Sequence, residues 1–597
     1  MRKATLLFGL VSLGLIGYAL LRKRSELLAR LLRLPPPTHT IAAEYDLPIA
    51  MPDGVTLYAD RFFPREPGDY PTVLVRTAYG RPSEARLLGP LGSLPYTAIA
   101  ARGYHVLVQG VRGRFRSGGE FEPFVYEAAD GKATLAWVAE QPWFNGALGM
   151  YGASYLGYTQ WTAAIDGPPF LKALVPAITS ARFSQLFYPA AGVFTLESAL
   201  NWVYFIQATR GRQLDWPSLQ QLGPARIEAA VLPARDHQPI SEADEIATGG
   251  PVGFYRTWLE NDRYDTAYWQ RVDVHRLLGK VDAPAHLIAG WYDIFLREQL
   301  ADYAALLAIG RLPYLTIGPQ HHTQLTLQVD ILRESLIWFA AQLKGDPSGL
   351  RRRPVRLYLM GAHEWHEMDY WPPPAQINRY YLHSDGSLAT SLPGAEDSPK
   401  CFTYYTSEPT PNIGGALLLS PQAGPQEQSA LEDRSDLLLY TSLPLEHDLD
   451  LIGHVRLELY VRPGAEHCDF VGRLCDVHPD GRSYNICDGI MRLAPGLGEW
   501  QADGILRIDI DMWATAQRFR AGHRIRLQVA SAGHPRWSRN LGTGKSVGLV
   551  EPALTIEQTI FHDSDHPSAL LLPIVSAEFL KQSAEFISAS TASDTST

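Results

Sequence analysis

The chain has 597 residues, too many for one small module, and at about 150 residues per domain the length predicts roughly two to four domains. Hydrophobic residues make up 46% and charged residues 19%, a globular composition that excludes wholesale disorder. The 53 Lys and Arg against 63 Asp and Glu leave a net charge of −10, spread thinly, which excludes a nucleic-acid binder working through a basic field.

Met1-Arg2-Lys3 precedes an uncharged apolar run, Ala4 to Leu21, closed by Arg22-Lys23-Arg24. Such a run is just long enough to span a bilayer. It predicts an N-terminal hydrophobic helix that attaches the protein to the membrane, residues 1–38 comprising this anchor and a linker. No A-x-A-like site follows, so an uncleaved anchor is the first reading and a cleaved signal its rival. Arg22, Lys23, Arg24, Arg30 and Arg33 outnumber Arg2 and Lys3, which by the positive-inside tendency places the rest of the chain in the cytoplasm. Leu34-Pro35-Pro36-Pro37-Thr38 is a stiff extended linker.

From His39 the pattern predicts strands at Leu47 to Ala50 and Val55 to Phe63, around the turn Met51-Pro52-Asp53-Gly54, then at Thr72 to Arg76 and Tyr104 to Val111. A helix follows over Asp130 to Glu140, a strand over Leu148 to Tyr151, a helix over Tyr155 to Ile165, and a strand over Leu171 to Val175. This alternation predicts a parallel sheet covered by helices on both faces, an α/β domain over 39–345. Between 181 and 270 it gives way to aromatic-rich, helix-compatible stretches such as Phe194 to Gln207, read as a helical cap inserted over the active site. Strands resume at Ala285 to Ala289 and Tyr314 to Ile317, and a polar boundary follows at Lys344 to Gly349 and Arg351-Arg352-Arg353-Pro354.

Period-two alternation at His454 to Val461, Leu506 to Met512 and His523 to Val529 predicts a second, antiparallel domain over 355–587, a jelly-roll sandwich. The Ser/Thr/Ala-rich residues 588–597 are read as a disordered tail. The four cysteines, Cys401, Cys468, Cys475 and Cys487, form no C-x-x-C pair. They are read as free thiols, with a disulfide as the alternative.

Leu148-Gly149-Met150-Tyr151-Gly152-Ala153-Ser154-Tyr155-Leu156-Gly157 reads as strand, sharp turn and helix with a serine at the turn, the form of a nucleophile elbow. Such a turn exposes the hydroxyl at a helix N-terminus and aims the Tyr155 N–H at a developing oxyanion. The usual second glycine stands at +2, whereas here Leu156 holds +2 and Gly157 +3, so a serine that merely caps a helix is the competing reading. An acid and a base follow in the order such a sheet requires. Ala285 to Gly290 runs into Trp291-Tyr292-Asp293, and Tyr314 to Gly318 runs into Pro319-Gln320-His321-His322, both just past strand C-termini.

From about Tyr45 to Phe586 the chain resembles the CocE/NonD serine hydrolases, which include cocaine esterase, α-amino acid ester hydrolases and Xaa-Pro dipeptidyl-peptidases. The segments that carry the resemblance are Val75-Arg76-Thr77-Ala78-Tyr79, Gln109-Gly110-Val111-Arg112-Gly113-Arg114-Phe115, the Ser154 elbow through Thr159-Gln160-Trp161, Gly290-Trp291-Tyr292-Asp293, and Gly318-Pro319. In that family the elbow is Gly-x-Ser-Tyr-x-Gly, so Gly157 sits where the resemblance requires. The resemblance implies Ser154 as nucleophile, His322 as general base and then acid, Asp293 as the residue orienting it, and Tyr79 as an oxyanion donor beside the Tyr155 N–H. The residues before the histidine depart from the family pattern, and His321 is a rival base.

His363-Glu364-Trp365-His366-Glu367 imitates a zinc motif, but its histidines stand at i and i+3 rather than i and i+4, and it is read as a polar loop. Phe183, Phe187, Tyr188, Trp202, Tyr204 and Phe205 are read first as the cap's own core. Phe295, two residues past Asp293, is expected at the pocket wall.

The expected function is hydrolysis of carboxylic esters or amides through an acyl-enzyme, needing neither metal nor cofactor. An esterase is the first reading. An Xaa-Pro dipeptidyl-peptidase or α-amino acid ester hydrolase is second and would need carboxylates for a substrate ammonium, the candidates being Glu260, Asp262, Asp265 and Glu298. A membrane-tethered binding protein with a dead hydrolase domain is the reading from another class. The expected partners are a small ester, amide or short-peptide substrate, the membrane through the N-terminal segment, and a second copy in a homodimer, with no nucleic acid.

Overall fold

The computed structural model describes residues 26–583, apart from 28, 89, 191, 212, 216–219 and 546–553. Its N-terminal part is built on one sheet of ten strands: β1 (Ile41–Ala50), β2 (Thr56–Pro64), β3 (Thr72–Thr77), β4 (His105–Gly110), β5 (Leu148–Ala153), β6 (Leu171–Ala177), β7 (His286–Tyr292), β8 (Tyr314–His321), β9 (Val355–Leu359) and β10 (Glu364–Met368). Their order is β1-β2-β4-β3-β5-β6-β7-β8-β9-β10. Strands β4, β3 and β5 to β9 pair in parallel, and β1, β2 and β10 join by antiparallel pairing. The β3 and β7 runs, Thr72-Val-Leu-Val-Arg-Thr77 and His286-Leu-Ile-Ala-Gly-Trp-Tyr292, are buried throughout, as central strands with both faces covered must be.

Helix α1 (Tyr155–Ala164) follows β5 directly, α3 (Leu296–Ala308) follows β7 and α4 (Leu325–Lys344) follows β8; between β6 and β7 the chain leaves the sheet for a helical insertion that includes α2 (Leu196–Ala208). The insertion holds itself together with stacked aromatic rings, Phe187 lying 4.1 Å from Trp258 and 5.7 Å from Trp269. The C-terminal β domain is built from two further sheets of eight and four strands, antiparallel in their pairing. Leu457, Leu459, Ile508 and Ile510 of the larger sheet and Leu474 and Leu527 of the smaller share one buried core.

Several expectations are corrected. The boundary at residue 355 falls inside the large sheet, because Val355-Arg-Leu-Tyr-Leu359 pairs in parallel with β8 and closes that sheet's parallel run. The segment Glu364 to Met368 is strand β10 rather than a loop; its backbone groups pair with β9, and the buried His366 accepts or donates a bond to Ser583 at 2.8 Å. The predicted strand Leu47 to Ala50 begins six positions earlier, at Ile41, since Ile41 to Glu44 pair with Arg61 to Pro64 past an irregularity in register. Membrane attachment through one N-terminal segment is not upheld: among the described residues no helix is long and apolar enough to cross a membrane, and the run 4–21 lies outside them. The tail 588–597 also lies outside. Among the described residues nothing argues for the homodimer, and it is not proposed. All four cysteines are free thiols.

Candidate active site

Ser154 stands between β5 and α1 with φ +60° and ψ −124°, a left-handed conformation that a side-chain-bearing residue adopts only under constraint. The constraint is visible on both sides. The Ser154 N–H donates to the Ala177 carbonyl at the end of β6 (2.9 Å), and its own carbonyl accepts from the N–H groups of Gly157 and Tyr158 (2.8 and 3.1 Å). Gln160, from the Thr159-Gln160-Trp161 segment, is buried and ties the helix to both strands. Its amide donates to the carbonyls of Gly152 (3.1 Å) and Val175 (2.8 Å), and its oxygen accepts from the Val175 N–H (2.9 Å). The displaced glycine has a steric cause, for a Cβ at position 157 would lie 2.4 Å from Thr179 Cγ2, so α1 can approach the end of β6 only if that residue has no side chain.

Tyr155 opens α1, where the first backbone N–H groups have no intrahelical partner and face whatever lies beyond the helix end. Its ring is fixed by its phenol, which donates to Glu127 Oε1 (2.6 Å) and accepts from the Phe124 N–H (3.1 Å). Glu127 is itself buried against Arg76 at 2.8 Å, and Arg76 donates to Gln109 (2.8 Å), so two of the motif segments converge under the elbow. Burial, the largest influence, pushes the Glu127 carboxyl above the usual range despite Arg76.

Tyr79, three residues beyond Arg76, lines the same cavity as Ser154, and its phenol accepts a bond from the Trp202 indole N–H at 3.3 Å. Burial raises its pKa above 10, which keeps the phenol protonated and able to donate. Arg114 holds the neighbouring backbone in place. It is buried, donates from Nε to the Ala78 carbonyl (2.8 Å) and from its other nitrogens to Ile206 and Thr209 at the end of α2, and burial lowers its pKa to about 10.

Asp293 and His322 follow β7 and β8. Gly290 lets these strands close up, since a Cβ there would sit 2.2 Å from the Gln320 carbonyl oxygen. His322 Nδ1 then meets Asp293 Oδ2 at 2.6 Å, with Asp293 fully buried and its second oxygen taken by the Phe295 N–H at 2.8 Å. His321 points elsewhere, its Nδ1 3.5 Å from the Thr323 hydroxyl. The two are thus separated by their partners, and the geometry favours His322. Gln320, one of the departures noted above, is buried and donates to Asp330 of α4 at 2.9 Å, pinning the histidine loop to that helix.

Two cavities meet at Ser154. The smaller, about 30 Å³, is walled by Tyr79, Phe124, Phe183, Phe187, Trp202 and Phe295, so three of the insertion's aromatics read as its own core also line the site. Phe295 is among the residues lining the smaller cavity, its ring 5.6 Å from His322 and 5.2 Å from Phe183. The larger, about 330 Å³, is bordered by His322, Tyr96, Tyr151, Phe205, Gln328 and Leu419. Leu418, from the β domain, reaches both. Among the described residues neither cavity is lined by a carboxylate. Of the acids considered for a substrate ammonium, Glu298 is buried against Arg297 (2.6 Å) and Arg182 (3.5 Å), Asp262 and Asp265 line a separate cavity between the insertion and the β domain, and Glu260 is exposed. Sequence reasoning missed Glu127, Arg114, Trp202 as a partner of Tyr79, and Leu418.

A family model of the X-Pro dipeptidyl-peptidase S15 family matches residues 53–324, and one of the X-Pro dipeptidyl-peptidase C-terminal non-catalytic domain matches 350–571. The cocaine esterase of Rhodococcus sp. (strain MB1 Bresler) is 33% identical over 571 residues, 88% of this chain and 97% of the esterase. The chain belongs to the CocE/NonD family. It is accordingly a serine hydrolase of esters or amides. In fold the family member matches an α-amino acid ester hydrolase with TM-score 0.75 at 21% identity, covering 90% of this chain and 97% of that one. It matches equally an aminopeptidase from a marine sediment archaeon, Thaumarchaeota archaeon, with TM-score 0.76 at 24% identity and the same coverage.

Proposed function

We propose that the protein is a carboxylic esterase for small, uncharged acyl groups on bulky leaving groups. Ser154 attacks the ester carbonyl while His322 Nε2 takes its proton, and Asp293, bonded to Nδ1, fixes the tautomer and stabilises the imidazolium. The Tyr79 hydroxyl and the Tyr155 N–H receive the oxyanion. Collapse of the tetrahedral intermediate expels the alcohol with the proton returned from His322, and water then repeats the sequence on the acyl-enzyme.

His322 decides which group goes where. The leaving oxygen must depart on the side of the protonated imidazole, and His322 borders the larger cavity but not the smaller. The alcohol therefore takes the larger cavity and the acyl group the smaller, aromatic one. The observation that carries the preference for esters over N-terminal dipeptides is the lining without carboxylates, because a buried ammonium needs a paired anion.

The test is initial rates on 4-nitrophenyl acetate, butyrate and octanoate beside Gly-Pro and Ala-Pro 4-nitroanilides, with Ser154→Ala as the blank. We expect fast acetate and butyrate hydrolysis, a steep fall at octanoate, slow anilides, and turnover cut by about 10⁶ in Ser154→Ala. Anilide cleavage comparable to the esters would overturn the ester reading, and an active Ser154→Ala would overturn the assignment of the nucleophile.

A further inference from the structure

Far along the chain from these residues, at one end of the smaller sheet of the β domain, three potential ligands share a face. Asp476 and His478 are two apart at the end of the strand Asp469–Val477, so their side chains leave on the same side. The neighbouring strand Arg524–Ala530 runs antiparallel with Asp476 opposite Ile525 and Val477 opposite Arg524, a register that sets His478 opposite His523. Accordingly the two imidazoles lie 4.5 Å apart, His523 Nδ1 is 2.8 Å from Asp476 Oδ1, and His478 Nε2 is 4.0 Å from Asp476 Oδ2. The three donor atoms all fall within 4.8 Å of one another.

We propose that Asp476, His478 and His523 form a binding site for Zn²⁺ that clasps two turns of the β domain. Donors on a tetrahedral zinc, each about 2.0–2.1 Å from the ion, lie about 3.3 Å apart, midway in the range these atoms already span. Two neutral imidazoles and one carboxylate are the borderline donors zinc prefers, and they leave a fourth position for water. The outer partner is also present, since the Gln517 amide donates to Asp476 Oδ2 at 3.1 Å and orients the carboxylate. Asp476 is buried with its side chain 5% exposed, while His478 is 34% exposed, which gives the ion a way in. The turns that would be joined already touch: a Cβ on Gly522, beside His523, would lie 3.7 Å from Pro479, beside His478. Binding replaces the Asp476–His523 hydrogen bond by two metal bonds and releases any proton held between them.

The experiment is calorimetric titration of the chelator-treated full chain with Zn²⁺ alone, at pH 7.5, on the parent and on His478→Ala and His523→Ala. Expected is one high-affinity site per chain, weakened at least about 100-fold in each variant, because loss of a ligand exceeds the 10–100-fold typical of an outer partner. Zinc should also raise the thermal midpoint of the parent and leave that of His478→Ala unmoved, while 4-nitrophenyl acetate hydrolysis by His478→Ala stays at the parent rate and reports an intact fold. Equal zinc binding by parent and His478→Ala would overturn the proposal, as would a parent that takes up no stoichiometric zinc below about millimolar concentration.

Discussion

Replacing Tyr79 by Phe removes one oxygen from the site and little else. The ring keeps its edge-on contacts with Phe205 (5.6 Å between centroids) and Tyr155 (6.4 Å), and the Tyr79 backbone keeps the bond from its N–H to the Thr77 hydroxyl (3.0 Å). What disappears is the donor offered to the oxyanion, together with the acceptor of the Trp202 indole N–H. A single such donor in a water-poor site is worth about 3 kcal/mol in the transition state, or 10²–10³ in kcat. The ground-state carbonyl carries less charge, so KM should change by less than about threefold. Trp202→Phe is the companion variant: it deletes the indole N–H that bonds the phenol at 3.3 Å and leaves the phenol in place. A neutral hydrogen bond of this kind contributes about 1 kcal/mol, so a loss of no more than about tenfold is expected. Steady-state rates on 4-nitrophenyl acetate, with active sites counted from the acylation burst, separate kcat from KM. A Tyr79→Phe enzyme within threefold of the parent in kcat, or one whose loss sits wholly in KM, would refute the oxyanion role.

Gly157→Ala should destabilise the chain by about 1–3 kcal/mol, since its Cβ would meet the fully buried Thr179 at 2.4 Å, and Thr179→Ala in the same chain should recover part of that loss in urea unfolding; no recovery would mean the clash lies elsewhere. His322→Ala should lose at least about 10⁴ in kcat on the same ester, while His321→Ala stays within about threefold, and equal losses would undo the choice made from the Asp293 contact. His562 is buried and held near 4, below the ordinary 6.5, chiefly by desolvation; it bonds the Tyr440 hydroxyl at 2.7 Å and the Ser398 carbonyl at 3.1 Å. Its unfolded form therefore binds a proton that its folded form refuses, so stability is full above pH 6.5 and falls as pH drops towards 4, by up to about 3 kcal/mol from this group. His562→Gln should flatten the pH dependence of denaturant unfolding between pH 6.5 and 4, and an unchanged slope would refute the assignment.

Much of the large sheet was legible because burial on both faces writes itself as runs such as Thr72 to Thr77, and the order of Ser154, Asp293 and His322 past strand ends pointed to the sheet's carboxyl edge. The elbow's displaced glycine was legible only as a resemblance; its cause, the methyl of Thr179, lies on another segment and leaves no mark near residue 157. The same limit explains β9. An alternating strand looks alike at the edge of a parallel sheet and in a β sandwich, and only its pairing with Leu315 to Ile317 assigns Val355 to Leu359 to the first. Arg114 stood in a quoted motif, yet its task of joining Ala78 to Thr209 spans too much chain for spacing to disclose. The aromatic residues of the insertion were weighed as core because helical spacing gives one face only, whereas Phe183, Phe187 and Trp202 pack on one another's neighbours and on the cavity at once.

Leu418 shows why the cavity depends on the β domain as well as on the sheet. Its carbonyl accepts from the Asn201 amide at 2.8 Å, and Asn201 is wholly buried on α2, the helix that also carries Trp202. One turn of α2 therefore fixes a wall contributed by the C-terminal domain and the indole that bonds Tyr79. Asn201→Ala would leave a buried carbonyl unpartnered, at a cost of about 1–3 kcal/mol, and would leave Leu418 tied to α2 by the longer bond from its N–H to the Ser198 hydroxyl at 3.4 Å. If the β domain shapes the acyl cavity chiefly through the Asn201 bond, the variant should hydrolyse the octanoate ester relatively faster than the acetate ester while keeping Ser154 reactive to an organophosphate. A specificity ratio identical to the parent's would mean that the Ser198 bond and packing hold Leu418 in place without Asn201.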